Sequence, residues 1–309
     1  MASQRDVKNR ISSVKNIQKI TRAMEMVAAA RLRRAEQRIA ALRPYADALR
    51  RMTRQAAQAA GAEASRLPLL REHDSKSNIG LLLITGDRGL AGGFNSQIIR
   101  AGVKIADELG DDGMQAVWYA TGRRGVSSLS FRGRELSGSY TGFADRPAYA
   151  DARSIADDLI TGYIDGRLDG VEIVYNAYIS PLTQEVTRET LLPLSAATIA
   201  AEGSGERAGG AGAEQEDGPV SGPRALVDYE PDPEEILKRL VPDYVEISIY
   251  RALVESTAGF FGAQMTAMRS ASENAGEIIT DLTLQMNRAR QAEITQEIME
   301  VVAGAEGLT

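Results

Sequence analysis

The sequence predicts an α/β protein with a long antiparallel coiled coil: N- and C-terminal helices form a left-handed coiled-coil shaft on a central Rossmann-like α/β domain. Two apolar stripes and a change of period between them carry this reading. The first stripe runs Val7, Ile11, Val14, Ile17, Ile20, Met24, Ala28, Leu32, Ala35, Ile39, Leu42, Ala46 and Leu49, a mean step of 3.5 residues. The second runs Val254, Ala258, Phe261, Met265, Met268, Ala271, Ala275, Ile279, Leu282, Met286 and Ala289, again at 3.5. A straight helix repeats at about 3.6, so stripes held at 3.5 indicate helices supercoiled left-handed around one another. One stripe leads into the middle of the chain and the other leads out, so they pair antiparallel.

Each element follows in order. Residues 1–60 read as the N-terminal coiled-coil helix, rich in Ala, Arg, Gln and Met and free of Gly until Gly61, with a kink or break expected at Pro44. A polar linker precedes the α/β domain of residues 76–195. There, Asn78 to Gly86 is a continuous apolar run, as expected of a strand buried on both faces. A helix over 95–109, a strand over 114–120, a helix over 147–168 and strands over 171–179 and 184–192 complete a small sheet. Residues 201–224 hold seven Gly, two Pro and five acidic side chains. Too little apolar surface remains there to offset ordering entropy, so the segment reads as a disordered insert. Asp232 and Pro233 start a short helix through Leu240. Beyond Pro242 the C-terminal coiled-coil helix occupies residues 243–305. At 1.5 Å per residue, ~60 residues span roughly 90 Å, and the protruding part needs a partner to cover it.

Composition narrows the function. No apolar run approaches the ~18–20 residues that cross a bilayer, and the polar, basic start has no signal-like segment, which predicts a cytosolic location or a cytosolic surface. Cysteine is absent, which removes disulfides and thiolate chemistry. The single histidine, His73, reads as a solvated loop residue in a polar stretch. Residues 1–54 hold fourteen Lys or Arg against four Asp or Glu, a net of +10 that leaves −16 for the rest. That asymmetry fits a polyanionic partner, basic flanks on a coiled-coil seam, or a basic shaft inside an acidic sleeve. Nucleic acid is disfavoured, because Tyr45 is the only aromatic residue in this helix and no recognition motif accompanies it.

No active site emerges. Gly86, Gly89, Gly92 and Gly93 lie between a strand and a helix, where phosphate loops occur, yet the spacing is neither G-x-G-x-x-G nor G-x-x-x-x-G-K-S/T. Asp87 would also set a carboxylate beside any phosphate, so tight turns explain the glycines better. The pairs Asp111–Asp112 and Asp157–Asp158 are sequence neighbours, which diverge by about 100° on a helix. Neither a metal nor a cofactor site is expected. After Arg290 no basic residue follows, while Glu293, Glu297, Glu300 and Glu306 do. An apolar, small-residue tip on a protruding helix is unfavourable unless a socket buries it.

Three blocks carry a family resemblance: Ser13 to Ala35 (SVKNIQKITRAMEMVAAARLRRA), Gly86 to Asn95 (GDRGLAGGFN) and Ala289 to Ala305 (ARQAEITQEIMEVVAGA). The chain resembles the gamma subunits of bacterial F-type ATP synthases over nearly its whole length, the 201–224 insert excepted. Gly307 stands where small residues such as Ala are usual, and Ala91 where many relatives carry Cys. The resemblance implies a non-catalytic central rotor shaft. Its terminal helices sit inside a ring of alpha and beta subunits, and its foot contacts epsilon and the membrane c ring. It further implies a peripheral place on the cytoplasmic side of the cell membrane. Met24, Arg290, Gln291 and Thr295 are the implied contacts with the beta subunit, and the basic N-terminal helix suits acidic loops there. No nucleic acid and no direct small-molecule substrate is implied. The rival readings are a stand-alone coiled-coil adaptor, which folds well by itself, and a nucleotide-binding α/β protein with helical arms.

Overall fold

The structure, a computed structural model, describes residues 4–61, 66–73, 76–194 and 232–306, so the insert at 201–224 lies outside the described residues. Its elements are α1 (Gln4–Ala60), β1 (Asn78–Ile84), α2 (Phe94–Asp111), β2 (Gln115–Thr121), α3 (Arg123–Phe131), β3 (Leu136–Tyr140), α4 (Tyr149–Ile164), β4 (Gly170–Tyr178), β5 (Gln184–Leu192) and α5 (Pro233–Glu306). They fall into two compact units, Met1–Ala30 with Gln264–Thr309, and Arg31–Ala263.

The larger unit is built on a five-stranded sheet of order β3-β2-β1-β4-β5. β1 runs parallel to β2 and β4, β2 parallel to β3, and β5 closes the edge antiparallel to β4. The continuous apolar run of β1 makes it the central strand, with Leu81, Leu82 and Leu83 wholly buried. Helix residues from both ends of the chain join the same core: Ala46, Leu49 and Ala56 of α1, and Leu237, Val241, Tyr244 and Val245 of α5. A polar cluster ties α5 to the β4–β5 hairpin. Arg251 Nη2 donates to Glu189 Oε2 at 2.8 Å, and the Tyr175 hydroxyl donates to Glu189 Oε1 at 2.7 Å.

Three local expectations change here. Pro242 does not separate two helices, because α5 runs through it from Pro233. An internal proline costs about 3 kcal/mol, but Leu237, Val241, Tyr244 and Val245 line one buried face across it, each contributing ~1.5–3 kcal/mol when fully buried. Likewise α1 continues past the exposed Pro44, flanked by buried Ala46 and Leu49. The sequence reading also passed over α3 and β3. Both are short: α3 is the nine-residue RRGVSSLSF, and β3, the five-residue LSGSY, is a half-buried edge strand.

His73 is not simply solvated. Its ring stacks on Tyr163 with centroids 4.4 Å apart, and Nδ1 lies 3.1 Å from Asp169 Oδ1. The other Asp169 oxygen accepts the N–H groups of Ser77 and Asn78 at 2.8 and 2.9 Å. Burial alone would raise the Asp169 carboxyl, but the Asn78 and Ser77 donors and His73 outweigh it and hold it below the ordinary carboxylate range. This carboxylate pins the entry to β1 against the start of β4.

In the smaller unit the two helices pair antiparallel. Gln18 Nε2 donates to the Ser272 carbonyl at 3.2 Å, and seven residues later Glu25 pairs with Arg269 at 2.9 Å, so α5 numbers fall as α1 numbers rise. The covered positions of α1 are Val7, Ile11, Val14, Gln18, Thr21 and Ala28, with Met24 and Glu25 half-covered beside them. Steps of four and three alternate, as in a heptad seam. Ile17 and Ile20 therefore leave the predicted seam, at 53% and 58% exposure. Apolar character alone had placed them inside, but the register set by Val7 and Ile11 brings Gln18 and Thr21 inward. Both polar groups find partners, since Thr21 Oγ1 donates to the Gln18 carbonyl at 3.0 Å.

Candidate functional site

The glycine-rich loop after β1 satisfies its own donors. Asp87 accepts N–H bonds from Arg123, Gly142 and Ala144 at 3.0–3.1 Å, and so occupies the start of α3 with a protein carboxylate. Asn95 Oδ1 accepts the Gly86 N–H at 2.8 Å, while its Nδ2 donates to the Arg88 carbonyl at 3.1 Å. A side chain at Gly86 would meet the Phe260 ring at 2.9 Å. Gly122, at φ +81°, lies so close to β1 that a Cβ would come within 2.1 Å of the Thr85 carbonyl oxygen. The loop thus works as a joint that knits β1, α3 and α5 together, and a phosphate would compete with Asp87 for the same N–H groups.

The surface of the smaller unit is different. Met24 is half-buried on α1, and Ile17, Ile20 and Val27 flank it at helical spacing, each more than half exposed. On α5, covered or half-covered positions recur as far as Ala289 and then stop, and every side chain from Arg290 to Val301 is exposed. Arg290, Gln291 and Thr295 lie in this stretch, where Thr295 Oγ1 donates to the Gln291 carbonyl at 2.8 Å. Ile294, Ile298, Met299 and Val301 are exposed beside them, at 47–71%. The four implied contact residues therefore form two bands. Met24 lies near the level of Arg269, and the 21 residues from there to Arg290 span roughly 32 Å of helix. The sequence reading named Met24 and missed its apolar neighbours, because it had assigned Ile17 and Ile20 to the seam.

A family profile described as ATP synthase matches residues 3–308. The ATP synthase gamma chain of Rubrobacter xylanophilus is 42% identical over 308 residues, covering 100% of this chain and 99% of that protein. The gamma chain of Streptomyces coelicolor is 42% identical over 311 residues, covering 99% and 96%. The chain belongs to the ATP synthase gamma-chain family. Its fold agrees with that membership. A chain from the central stalk and c-ring structure of the Tetrahymena thermophila mitochondrial ATP synthase superposes with a TM-score of 0.57 at 24% identity, over 82% of this chain and 99% of that one. A chain of the Euglena gracilis mitochondrial enzyme gives 0.66 at 14% identity, over 99% and 94%. As a gamma chain it is a subunit of the synthase. No described helix is long and apolar enough to cross a membrane.

Proposed function

We propose that this chain is the non-catalytic rotor of a proton-driven synthase, peripheral on the cytoplasmic side of the cell membrane. Its helices turn inside a ring of alpha and beta subunits, and its α/β unit meets epsilon and the c ring. Turning the shaft changes which beta subunit meets which face. Unequal contact biases the conformational equilibrium of each catalytic site without supplying a reacting group. The observation that supports this reading best is the apolar surface left bare on the two-helix unit. Ile17, Ile20 and Val27 around Met24, and Ile294, Ile298 and Met299 beside Arg290, would be unfavourable in water if nothing covered them. Met24, Arg290, Gln291 and Thr295 are the proposed beta contacts, and the exposed Lys15, Lys19 and Arg22 suit acidic loops there.

Met24→Lys tests the contact. With Met24 only half-buried, an introduced lysine can reach solvent, so the complex assembles and hydrolyses ATP while proton pumping and synthesis fall. Loss of the assembled complex would instead assign Met24 to the seam, where a buried ammonium is not tolerated.

A further inference from the structure

The apolar positions of the two-helix unit decide which face of α1 turns inward, but they leave the axial alignment of the helices open. Val7, Ile11 and Val14 on α1, and Ile279, Leu282 and Met286 on α5, are covered or half-covered positions at three- and four-residue spacing. Such an aliphatic seam packs almost as well after a slip of one heptad. The surface pair Glu25–Arg269 resists a slip only weakly. Gln18 is different. Its Nε2 donates to the Ser272 carbonyl at 3.2 Å, and a Cβ at Gly276 would lie 3.2 Å from that same nitrogen. Both residues lie within α5, so the Ser272 carbonyl also accepts the Gly276 N–H along the helix. Its second lone pair stays open to Gln18 because Gly276 has no side chain to crowd it. Glycine inside a helix is less stable than alanine, and this seat gives Gly276 a reason to be there.

We propose that Gln18, seated at Gly276, fixes the axial register of the two-helix unit. Gly276 is the one glycine between Gln264 and Ala303. A slip of one heptad would set Gln18 between Met265 and Arg269, or between Ile279 and Thr283. In the first place the Arg269 side chain stands where Gly276 leaves room. In the second, the Thr283 hydroxyl already donates to the Ile279 carbonyl at 2.6 Å. Either slip takes the partner from a half-covered amide, a loss that aliphatic packing does not offset. Thr21 carries no such information, since its hydroxyl donates to the Gln18 carbonyl of its own helix. A single polar residue in an apolar seam is a recognised means of specifying coiled-coil register. Gln18 thus acts as a positioning residue. On the rotor reading, a fixed register holds the Met24 band and the Arg290 band at constant spacing, but the lock itself does not depend on that reading.

The chain has no cysteine, so A23C/Q285C places two spin labels at exposed positions of the full-length chain. With Glu25 level with Arg269, these labels lie roughly 20 Å apart along the axis, and a one-heptad slip changes that by roughly 10 Å. Pulsed dipolar EPR should give one narrow distance while Gln18 is present. Q18L should add a second, slipped distance, with the ratio of in-register to slipped molecules falling at least about tenfold. Its melting temperature should hold or rise, because leucine suits the seam. G276L fills the seat, leaves Gln18 intact and should give the same second distance, whereas T21V should keep a single one. A residue that merely packs would behave in the opposite way, with a lower melting temperature and an unchanged distance. One unshifted distance in Q18L overturns the proposal, as does a T21V distribution as broad as that of Q18L. Loss of any defined distance, in the labelled parent or in Q18L, also overturns it. No partner subunit is present, so failure here leaves the rotor reading standing.

Discussion

The two units bury their apolar side chains to very different degrees. In the α/β unit, β1 and the helices around it leave no large apolar residue of the central strand exposed. In the two-helix unit, Gln18 and Thr21 sit in the seam while Ile17, Ile20 and Val27 face out, and from Arg290 to Val301 α5 has no covered face. A long amphipathic helix gains most of its stability from the face that it buries. The α/β unit therefore has a core of its own, and the two-helix unit leaves apolar faces bare that the proposed rotor role would have partners cover. That division is what the proposed rotor role needs: a firm base and a surface that partners can read.

The largest expected effect lies in the firm half. Gly122→Ala forces a Cβ against the Thr85 carbonyl at a positive φ, and should destabilise the α/β unit by more than about 3 kcal/mol. Urea unfolding followed through Trp118 measures it. A loss below ~1 kcal/mol would mean that the β1–α3 joint is looser than its geometry indicates.

Asp169→Asn should cost about 1–3 kcal/mol at neutral pH, because two backbone donors and His73 lose a charged acceptor. The Asp169 carboxyl is held below its ordinary value, so its contribution is complete above the unfolded value of ~3.9 and fades as pH falls through the lower folded one. The difference between parent and variant should therefore shrink towards low pH. Parallel unfolding curves across the acid range would contradict this.

Arg290→Ala probes the unfinished half and should leave the melting of the free chain unchanged within ~0.5 kcal/mol, as for other exposed sites. Its effect belongs in the assembled complex, where a partly desolvated charged contact is worth about 1.5–3 kcal/mol. ATP synthesis and hydrolysis by the reconstituted enzyme measure it, and unchanged rates with normal assembly would remove the contact.

How far the sequence could be read follows the same division. β1, α2, β2, α4, β4 and β5 were visible because buried strands and amphipathic helices impose strong periods. α3 and β3 were not, since nine and five residues are too short a window for a period to stand out, and β3 is a Ser- and Gly-containing edge strand. Pro242 misled because local propensity cannot see the core that overrides it. Ile17 and Ile20 misled for a related reason: heptad register depends on the partner helix, and a polar Gln18 is tolerated there because the Ser272 carbonyl accepts a hydrogen bond from its amide. Of the four proposed contact residues, the resemblance supplied the positions, but their division into two bands needed the Glu25–Arg269 pairing.

The central claim is that the two-helix unit is completed by partners while the α/β unit is complete in itself. Amide hydrogen exchange on the free full-length chain and on the assembled synthase tests it most directly. The account predicts that residues 78–192 are strongly protected in both. Residues 4–30 and 264–301 should exchange quickly in the free chain and gain protection of at least about tenfold on assembly, most of all from Arg290 onwards. Equal protection of the helices in the free chain and in the complex would contradict it.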